Sequence, residues 1–120
     1  EPIAPLGNPE AHQWFLEGVH TSLAAALQLG AKVMIAQAGD FQIGVARSAQ
    51  HAAIVRVLGE AARIIEGSGV ILALEPLNDR VDHPGYYLTS TEEGLDIVDE
   101  VACPEIKLLY DIYHAAVMGE

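Results

Sequence analysis

Two acidic side chains, Glu75 and Asp111, stand at the ends of two short apolar segments of similar design. The first segment reads VILALEPLND and the second reads IKLLYDIYH. Each apolar run ends in one carboxylate, and the two carboxylates are 36 residues apart. If both runs are buried parallel strands, their carboxyl ends share the edge of the sheet where such folds place catalytic groups. The pattern therefore predicts two carboxylates that meet at one point.

Two carboxylates at this distance can support metal chemistry or acid–base chemistry. Neighbouring strands lie about 4.8 Å apart, and unpaired carboxylates so close together repel each other in a site of low dielectric. A divalent cation removes that repulsion, and oxygen ligands suit Mg²⁺ or Mn²⁺. The alternative is that each acid caps the helix that follows it or pairs with an arginine such as Arg80. Spacing alone leaves both interpretations open.

Helical and strand patterns alternate along the chain that must position these acids. Apolar residues recur at helical spacing in three segments, residues 16–27, 54–65 and 95–101. Each of these segments is followed by a short apolar run that is typical of a buried strand, centred near residues 35, 72 and 108. A capping box, Ser90 with Glu93 three residues later, indicates where the third helix begins. The predicted order is therefore α-β-α-β-α-β.

This order predicts an α/β fold with a parallel sheet and helices packed against it. The repeat of about 36 residues fits one unit of a (β/α)8 TIM barrel, a fold that needs eight such units. Three strands predict a partial TIM barrel, one domain over residues 1–120, and a chain that is part of a longer one. A doubly wound dinucleotide-binding sheet is disfavoured, because no G-x-G-x-x-G fingerprint follows any strand.

Composition narrows the class of partner. The formal net charge is −11, from 17 acidic and 6 basic residues. This balance argues against nucleic acid as a ligand, since affinity for phosphates comes mainly from Lys and Arg. No apolar stretch approaches the roughly 20 residues that span a bilayer, and a single cysteine favours a reducing, cytoplasmic setting. The acidic residues between 92 and 100 are expected to form a solvated helix face, and His51 is expected to be a surface or helix-packing residue.

Two segments carry a resemblance to a known family. LALEPLNDRVDHPGYYL together with KLLYDIYHAAVMGE resembles the hydroxypyruvate isomerase family, which belongs to the metal-dependent, xylose isomerase-like TIM barrels. The resemblance is strongest over residues 70–120. It implies that Glu75 ends the fifth strand of the barrel and Asp111 the sixth, and that both bind a divalent metal. It also implies that Glu75 moves a proton at a substrate carbon.

The resemblance further implies a set of substrate-binding residues, namely His114, Asn78, Arg80 and His83. His114 would face the substrate oxygens, Asn78 and Arg80 would order the loop over the site, and His83 would lie in the turn at its rim. In the family, a third metal ligand and a second catalytic glutamate stand on the seventh and eighth strands, which these 120 residues do not include.

The implied activity is an aldose–ketose type isomerisation of a small molecule. Hydroxypyruvate, or a related hydroxy-keto acid or sugar, would be converted through an enediolate that the metal stabilises. One alternative is a catalytically incomplete half barrel whose open sheet edges lead it to self-associate, so a homo-oligomer is expected. Another alternative is the abasic-site endonuclease branch of the same superfamily, against which the net charge counts.

Overall fold

The fold is a three-stranded parallel sheet with helices packed against it. A computed structural model describes residues 5–120, and the first four residues lie outside the described part. Its elements in chain order are a 3-10 turn (Pro9–Ala11), α1 (His12–Leu29), β1 (Val33–Gln37), α2 (Arg47–Ile65), β2 (Ile71–Glu75), α3 (Thr91–Val101), β3 (Ile106–Leu108) and α4 (Ile112–Met118). The predicted alternation of helices and strands is confirmed.

Local signals in the sequence explain where the helices begin. The side chain of Asn8 accepts a hydrogen bond from the amide of Glu10 (3.1 Å) and caps the first turn. Ser90 accepts one from the amide of Glu93 (3.2 Å) and caps α3, as the capping-box pattern predicts. Both caps satisfy amides that would otherwise lack a partner at a helix start.

The central helix, α2, holds the core together. Its predicted apolar stripe is buried, and the fully buried members are Ile54, Val57, Leu58, Ala61 and Ile65. These side chains pack with residues of the sheet and of α1 and α3 in one hydrophobic cluster. The helices therefore fix the position of the sheet, and with it the strand ends that carry the acids.

The stripe predicted for α3 is shifted from the expected one. Leu95, expected to face the core, is 47% exposed, whereas Gly94 and Ile97 are buried. A Cβ atom on Gly94 would lie 2.5 Å from Cδ1 of Leu108, so a larger residue here would force the Leu108 side chain to move. The error arose because a glycine carries no apolar signal in a periodic pattern.

Strand β3 is shorter than predicted. The run from Ile106 to Tyr113 was expected to be one strand, but the strand ends at Leu108 and α4 begins at Ile112. The amide of Leu109 still donates to the carbonyl of Leu74 (2.9 Å), and the chain then leaves the sheet. Asp111 is thus the N-cap residue of a helix and not the last residue of a strand.

One face of the sheet is covered by helices and the other is open. On β1, Met34 and Ala36 are buried, whereas Val33 and Ile35 are 52% and 58% exposed. We expected strands buried on both faces, and the open face of β1 does not fit that expectation within residues 5–120. In the part of the chain that the structure describes, no helix is long and apolar enough to cross a membrane.

Candidate active site

The candidate site lies at the carboxyl edge of the sheet. The strands pair in parallel, with Gln37 opposite Glu75, and Leu74 opposite Leu108. Because side chains alternate between the two faces of a strand, Gln37 shares the open face with Val33 and Ile35. Its register partner Glu75 therefore projects from the same open face.

Three of the predicted site residues come together there. Glu75, Asp111 and His114 each offer one ligand atom, and these atoms all lie within 4.8 Å of one another. All three residues are partly buried. A hard divalent cation prefers carboxylate oxygens, so the two acids fit such an ion chemically. Glu75 is supplied by the end of β2, and the other two residues by the first turn of α4.

The competing explanation, that each acid caps a helix or pairs with an arginine, holds for only one of the two. Oδ1 of Asp111 accepts hydrogen bonds from the amides of Tyr113 (2.8 Å) and His114 (3.4 Å) and so caps α4. Glu75 caps no helix, and within residues 5–120 its carboxylate makes no hydrogen bond or salt bridge. Arg80 points elsewhere, donating from Nη1 to the carbonyl of Val117 (3.0 Å).

Asn78 lies next to this cluster and is fully buried. Its Oδ1 accepts hydrogen bonds from the amides of Val81 and Asp82, both at 3.0 Å. Its Nδ2 donates to Oδ2 of Asp82 (2.7 Å) and to Nδ1 of His114 (2.7 Å). Asn78 therefore holds the loop that follows β2, and its side-chain amide is fully occupied by these contacts.

The hydrogen bonds of Asp82 extend this network to α4. Oδ2 of Asp82 also accepts a hydrogen bond from the hydroxyl of Tyr113 (2.7 Å). The hydrogen bonds from Asn78 and Tyr113 lower the pKa of Asp82 below its ordinary value. The same hydrogen bond to Asp82 raises the pKa of the Tyr113 hydroxyl. Tyr113 is exposed, and its hydroxyl joins α4 to the loop.

His83 lies against the other rings of the site. Its ring centroid is 5.6 Å from that of His114 and 6.1 Å from that of Tyr86. Tyr86 is a residue whose role the sequence did not reveal. Its hydroxyl accepts a hydrogen bond from the amide of Ala38 (2.8 Å) and donates to the carbonyl of Glu75 (3.1 Å). Burial raises the pKa of this hydroxyl, so Tyr86 stays a neutral link between the ends of β1 and β2.

A second polar cluster lies between α2 and α3. Glu93 accepts hydrogen bonds from Arg47, from the hydroxyl of Tyr87 (2.6 Å) and from the ring of His51 (3.4 Å). The His51 ring also contacts Glu100 (2.9 Å). The expectation of a solvated helix face is confirmed for Glu100 but wrong for Glu93, which is partly buried.

Comparison with known proteins decides the family. A family profile described as the xylose isomerase-like TIM barrel matches residues 2–120. The chain belongs to this family. The resemblance to hydroxypyruvate isomerases is also confirmed, because the hydroxypyruvate isomerase of Escherichia coli strain K12 is 34% identical over 106 residues. That alignment covers 88% of this chain and 41% of the relative.

Solved structures agree on the fold. An AP endonuclease of family 2 from Brucella melitensis superposes with a TM-score of 0.84 at 29% identity, over 92% of this chain and 42% of that chain. The IOLI protein, solved with a bound zinc atom, superposes with a TM-score of 0.81 at 24% identity, over 92% of this chain and 38% of that chain. The chain thus spans about two fifths of the length of its relatives, and it forms part of a TIM barrel.

Proposed function

We propose that this chain carries part of the active site of an isomerase that acts on hydroxypyruvate or on a related small hydroxy-keto acid or sugar. The observation that carries the proposal is the pair of neighbouring carboxylates, Glu75 and Asp111, which no Lys or Arg neutralises within residues 5–120. The similarity to the E. coli hydroxypyruvate isomerase supports this choice of substrate. In this proposal β2 and β3 are the fifth and sixth strands of the barrel.

Glu75 and Asp111 would hold a divalent metal, Mg²⁺ or Mn²⁺ by ligand preference. When bound, the metal would polarise the substrate oxygens and offset the negative charge that develops on them. Both acids suit this role. Glu75 offers a carboxylate free of other bonds in the described part of the chain, and Asp111 can use Oδ2 while Oδ1 caps α4.

Glu75 would also take the proton from the substrate carbon that lies next to the carbonyl carbon. A carboxylate placed at the reacting carbon contributes about 10²- to 10⁴-fold to such a proton transfer. His114 would donate a hydrogen bond to a substrate oxygen, and His83 would line the rim beside it. Arg80, which bonds to the backbone of α4, would act on the loop and not on the substrate directly.

An isotope-exchange assay tests this function. The full-length protein would be incubated in D₂O with hydroxypyruvate and Mg²⁺ or Mn²⁺, and proton NMR would follow both tartronate semialdehyde and deuterium uptake. We expect both signals for the wild-type protein and neither for Glu75→Gln. Glu105→Gln is the matched control. Glu105 is also partly buried, but it lies just before the amino end of β3, at the edge of the sheet opposite to the site. Absence of exchange in the wild type with every metal would refute the isomerase proposal.

A second candidate function rests on the structural neighbour described as an AP endonuclease of family 2. The same carboxylate pair could serve a metal-dependent cleavage of abasic DNA. The net charge of −11 disfavours this function, because DNA affinity depends on Lys and Arg contacts to phosphates. An abasic-site cleavage assay with the same metals separates the two functions, and we expect no cleavage.

Self-association is the third component of the proposal. The open face of β1 exposes Val33 and Ile35, and exposed apolar surface of this kind favours contact with another chain. Light scattering on the 120-residue chain, in which this face is open, would measure its mass in solution. A homo-oligomer is expected, and a monomer at all accessible concentrations would contradict that expectation.

A further inference from the structure

The ring of His114 has two nitrogen atoms, and the structure distinguishes their environments. Nδ1 faces two donors, the side-chain Nδ2 of Asn78 at 2.7 Å and the backbone amide of the same residue at 3.2 Å. A neutral histidine carries its proton on one nitrogen only, and the other nitrogen accepts. Nδ1 must accept in this environment, so the proton belongs on Nε2.

This assignment depends on the orientation of the Asn78 side chain, which the surrounding contacts fix. Oδ1 accepts from the amides of Val81 and Asp82, and Nδ2 donates to the Asp82 carboxylate. A flipped side chain would set its NH₂ group against two N–H donors and its oxygen against a carboxylate. These three contacts exclude the flipped orientation, and Nδ2 can only donate to His114.

The proton position decides what His114 can do in the site. A histidine that ligates a metal through Nε2 normally donates its Nδ1–H to a carboxylate or a carbonyl. Here Nδ1 contacts donors, which is the opposite arrangement. His114 therefore lies within the acidic cluster without the hydrogen-bond partner that a metal ligand needs, and its Nε2–H is a donor.

We propose that Asn78 is a positioning residue that fixes His114 in the tautomer with the proton on Nε2, which leaves Nε2–H free for the donation to the substrate that the proposed function assigns to this histidine. The donation to a substrate oxygen rests on the proposed isomerase function, whereas the position of the proton does not. Asp82 supports this position of Asn78. Its carboxylate accepts one hydrogen bond from the Asn78 side chain and another from the hydroxyl of Tyr113, and it so joins the loop to α4.

NMR of the full-length protein with ¹⁵N-labelled histidine tests the proton position directly. Two-bond correlations between ring protons and nitrogens distinguish the two neutral tautomers, and the signal of His114 is the one that His114→Gln lacks. Spectra would be recorded without metal and with saturating Mg²⁺. We expect the Nε2–H tautomer in both spectra. The Nδ1–H tautomer in either spectrum would overturn the proposal, and this test needs no variant at position 78.

The variant Asn78→Asp tests whether Asn78 determines the position of the His114 proton. It keeps an oxygen that accepts from the amides of Val81 and Asp82 but replaces the side-chain donor to His114 with an acceptor, so the share of the Nδ1–H tautomer should rise against the longer contact from the backbone amide (3.2 Å). The new oxygen also faces the carboxylate of Asp82, so circular dichroism must first show that the variant is folded. Asn8→Asp is the matched control, because Asn8 is the other asparagine of the chain and uses only its oxygen to cap the first turn. An unchanged tautomer in folded Asn78→Asp would overturn the positioning role.

Kinetics separate this proposal from the isomerase proposal. In Asn78→Asp we expect kcat to fall about tenfold or more, because a catalytic or binding group that is misplaced by a distant change can cost up to about 10²-fold. Asn8→Asp should keep the wild-type kcat. If the tautomers behave as expected but the wild type has no isomerase activity, only the proposed function fails. If the wild type is active and His114 carries its proton on Nδ1, only the inference about Asn78 fails.

Discussion

Two clusters of this chain combine carboxylates with a histidine, and they differ in how the negative charge is balanced. Between α2 and α3, Glu93 accepts hydrogen bonds from Arg47, Tyr87 and His51. At the carboxyl edge of the sheet, Glu75 and Asp111 face each other without a Lys or Arg in salt-bridge contact within residues 5–120.

The comparison shows why residue type alone does not mark a site. The pKa of Glu93 is below its ordinary value, because the hydrogen bonds from Arg47, Tyr87 and His51 outweigh the opposing effect of burial. This cluster is complete and joins two helices. At the sheet edge no Lys or Arg among residues 5–120 makes a salt bridge with Glu75 or Asp111, and a cation from solution would balance their charge. Carboxylates whose charge the fold leaves unbalanced therefore indicate a functional site better than residue type does.

The largest expected effect is the loss of catalysis in Glu75→Gln. The amide cannot take a proton from the substrate, so kcat should fall by about 10²- to 10⁴-fold. Thermal stability should stay the same or rise, because one of two repelling charges is removed. Steady-state kinetics and thermal melts of the metal-free protein measure both. A melting temperature several degrees lower would show that Glu75 is a structural residue like Glu93.

Glu93→Gln should have the reverse effect, with a loss of stability and no loss of catalysis. Removal of a charged acceptor of several hydrogen bonds costs about 1–2 kcal/mol, and the half-exposed Arg47 keeps the loss from being larger. Urea unfolding measures this cost. Glu92→Gln is the control, because Glu92 lies next to Glu93 in the chain and its own side chain is exposed. This variant should change the free energy of unfolding by less than about 0.5 kcal/mol. Equal losses in the two variants would contradict the assignment.

Asp111 caps α4 and is also a proposed metal ligand, and two variants separate these roles. Asp111→Asn keeps the oxygen that caps α4 but loses the charge, so it should weaken metal binding and leave stability intact. Asp111→Ala loses both, and should destabilise the protein by about a further 1 kcal/mol. Parallel denaturation and metal titrations compare them. If both variants retain metal binding, Asp111 is only a helix cap.

The smallest expected effect is a pH dependence that arises from His51. Burial alone would lower the pKa of His51, but the hydrogen bonds to Glu100 and Glu93 raise it above 6.5. A raised pKa adds stability that is fully present below the ordinary value and is lost as the pH rises through the raised one. The melting temperature should therefore fall slightly above pH 6.5 in the wild type, but not in His51→Gln. His20→Gln, on an exposed part of α1, should behave like the wild type.

The sequence predicted the parts of this fold that depend on periodic apolar patterns. The α2 stripe, the strand that ends at Glu75 and the cap at Ser90 are all where the patterns placed them. It indicated a helix cap at Asp111 only as an alternative and did not place the start of α4 at Ile112, because an apolar run continues through Ile112 and hides the boundary. Nor did it reveal the contacts of Asn78, Tyr86 and Glu93, which join residues of separate elements and leave no local signal.

The central claim is that Glu75 and Asp111 form a binding site for a divalent cation. Isothermal titration of the metal-free, full-length protein with Mn²⁺ tests it most directly, with Glu75→Gln and Glu105→Gln titrated in parallel. We expect one tight site in the wild type and in Glu105→Gln, and a loss of that site in Glu75→Gln. The same Mn²⁺ affinity in all three proteins would contradict it.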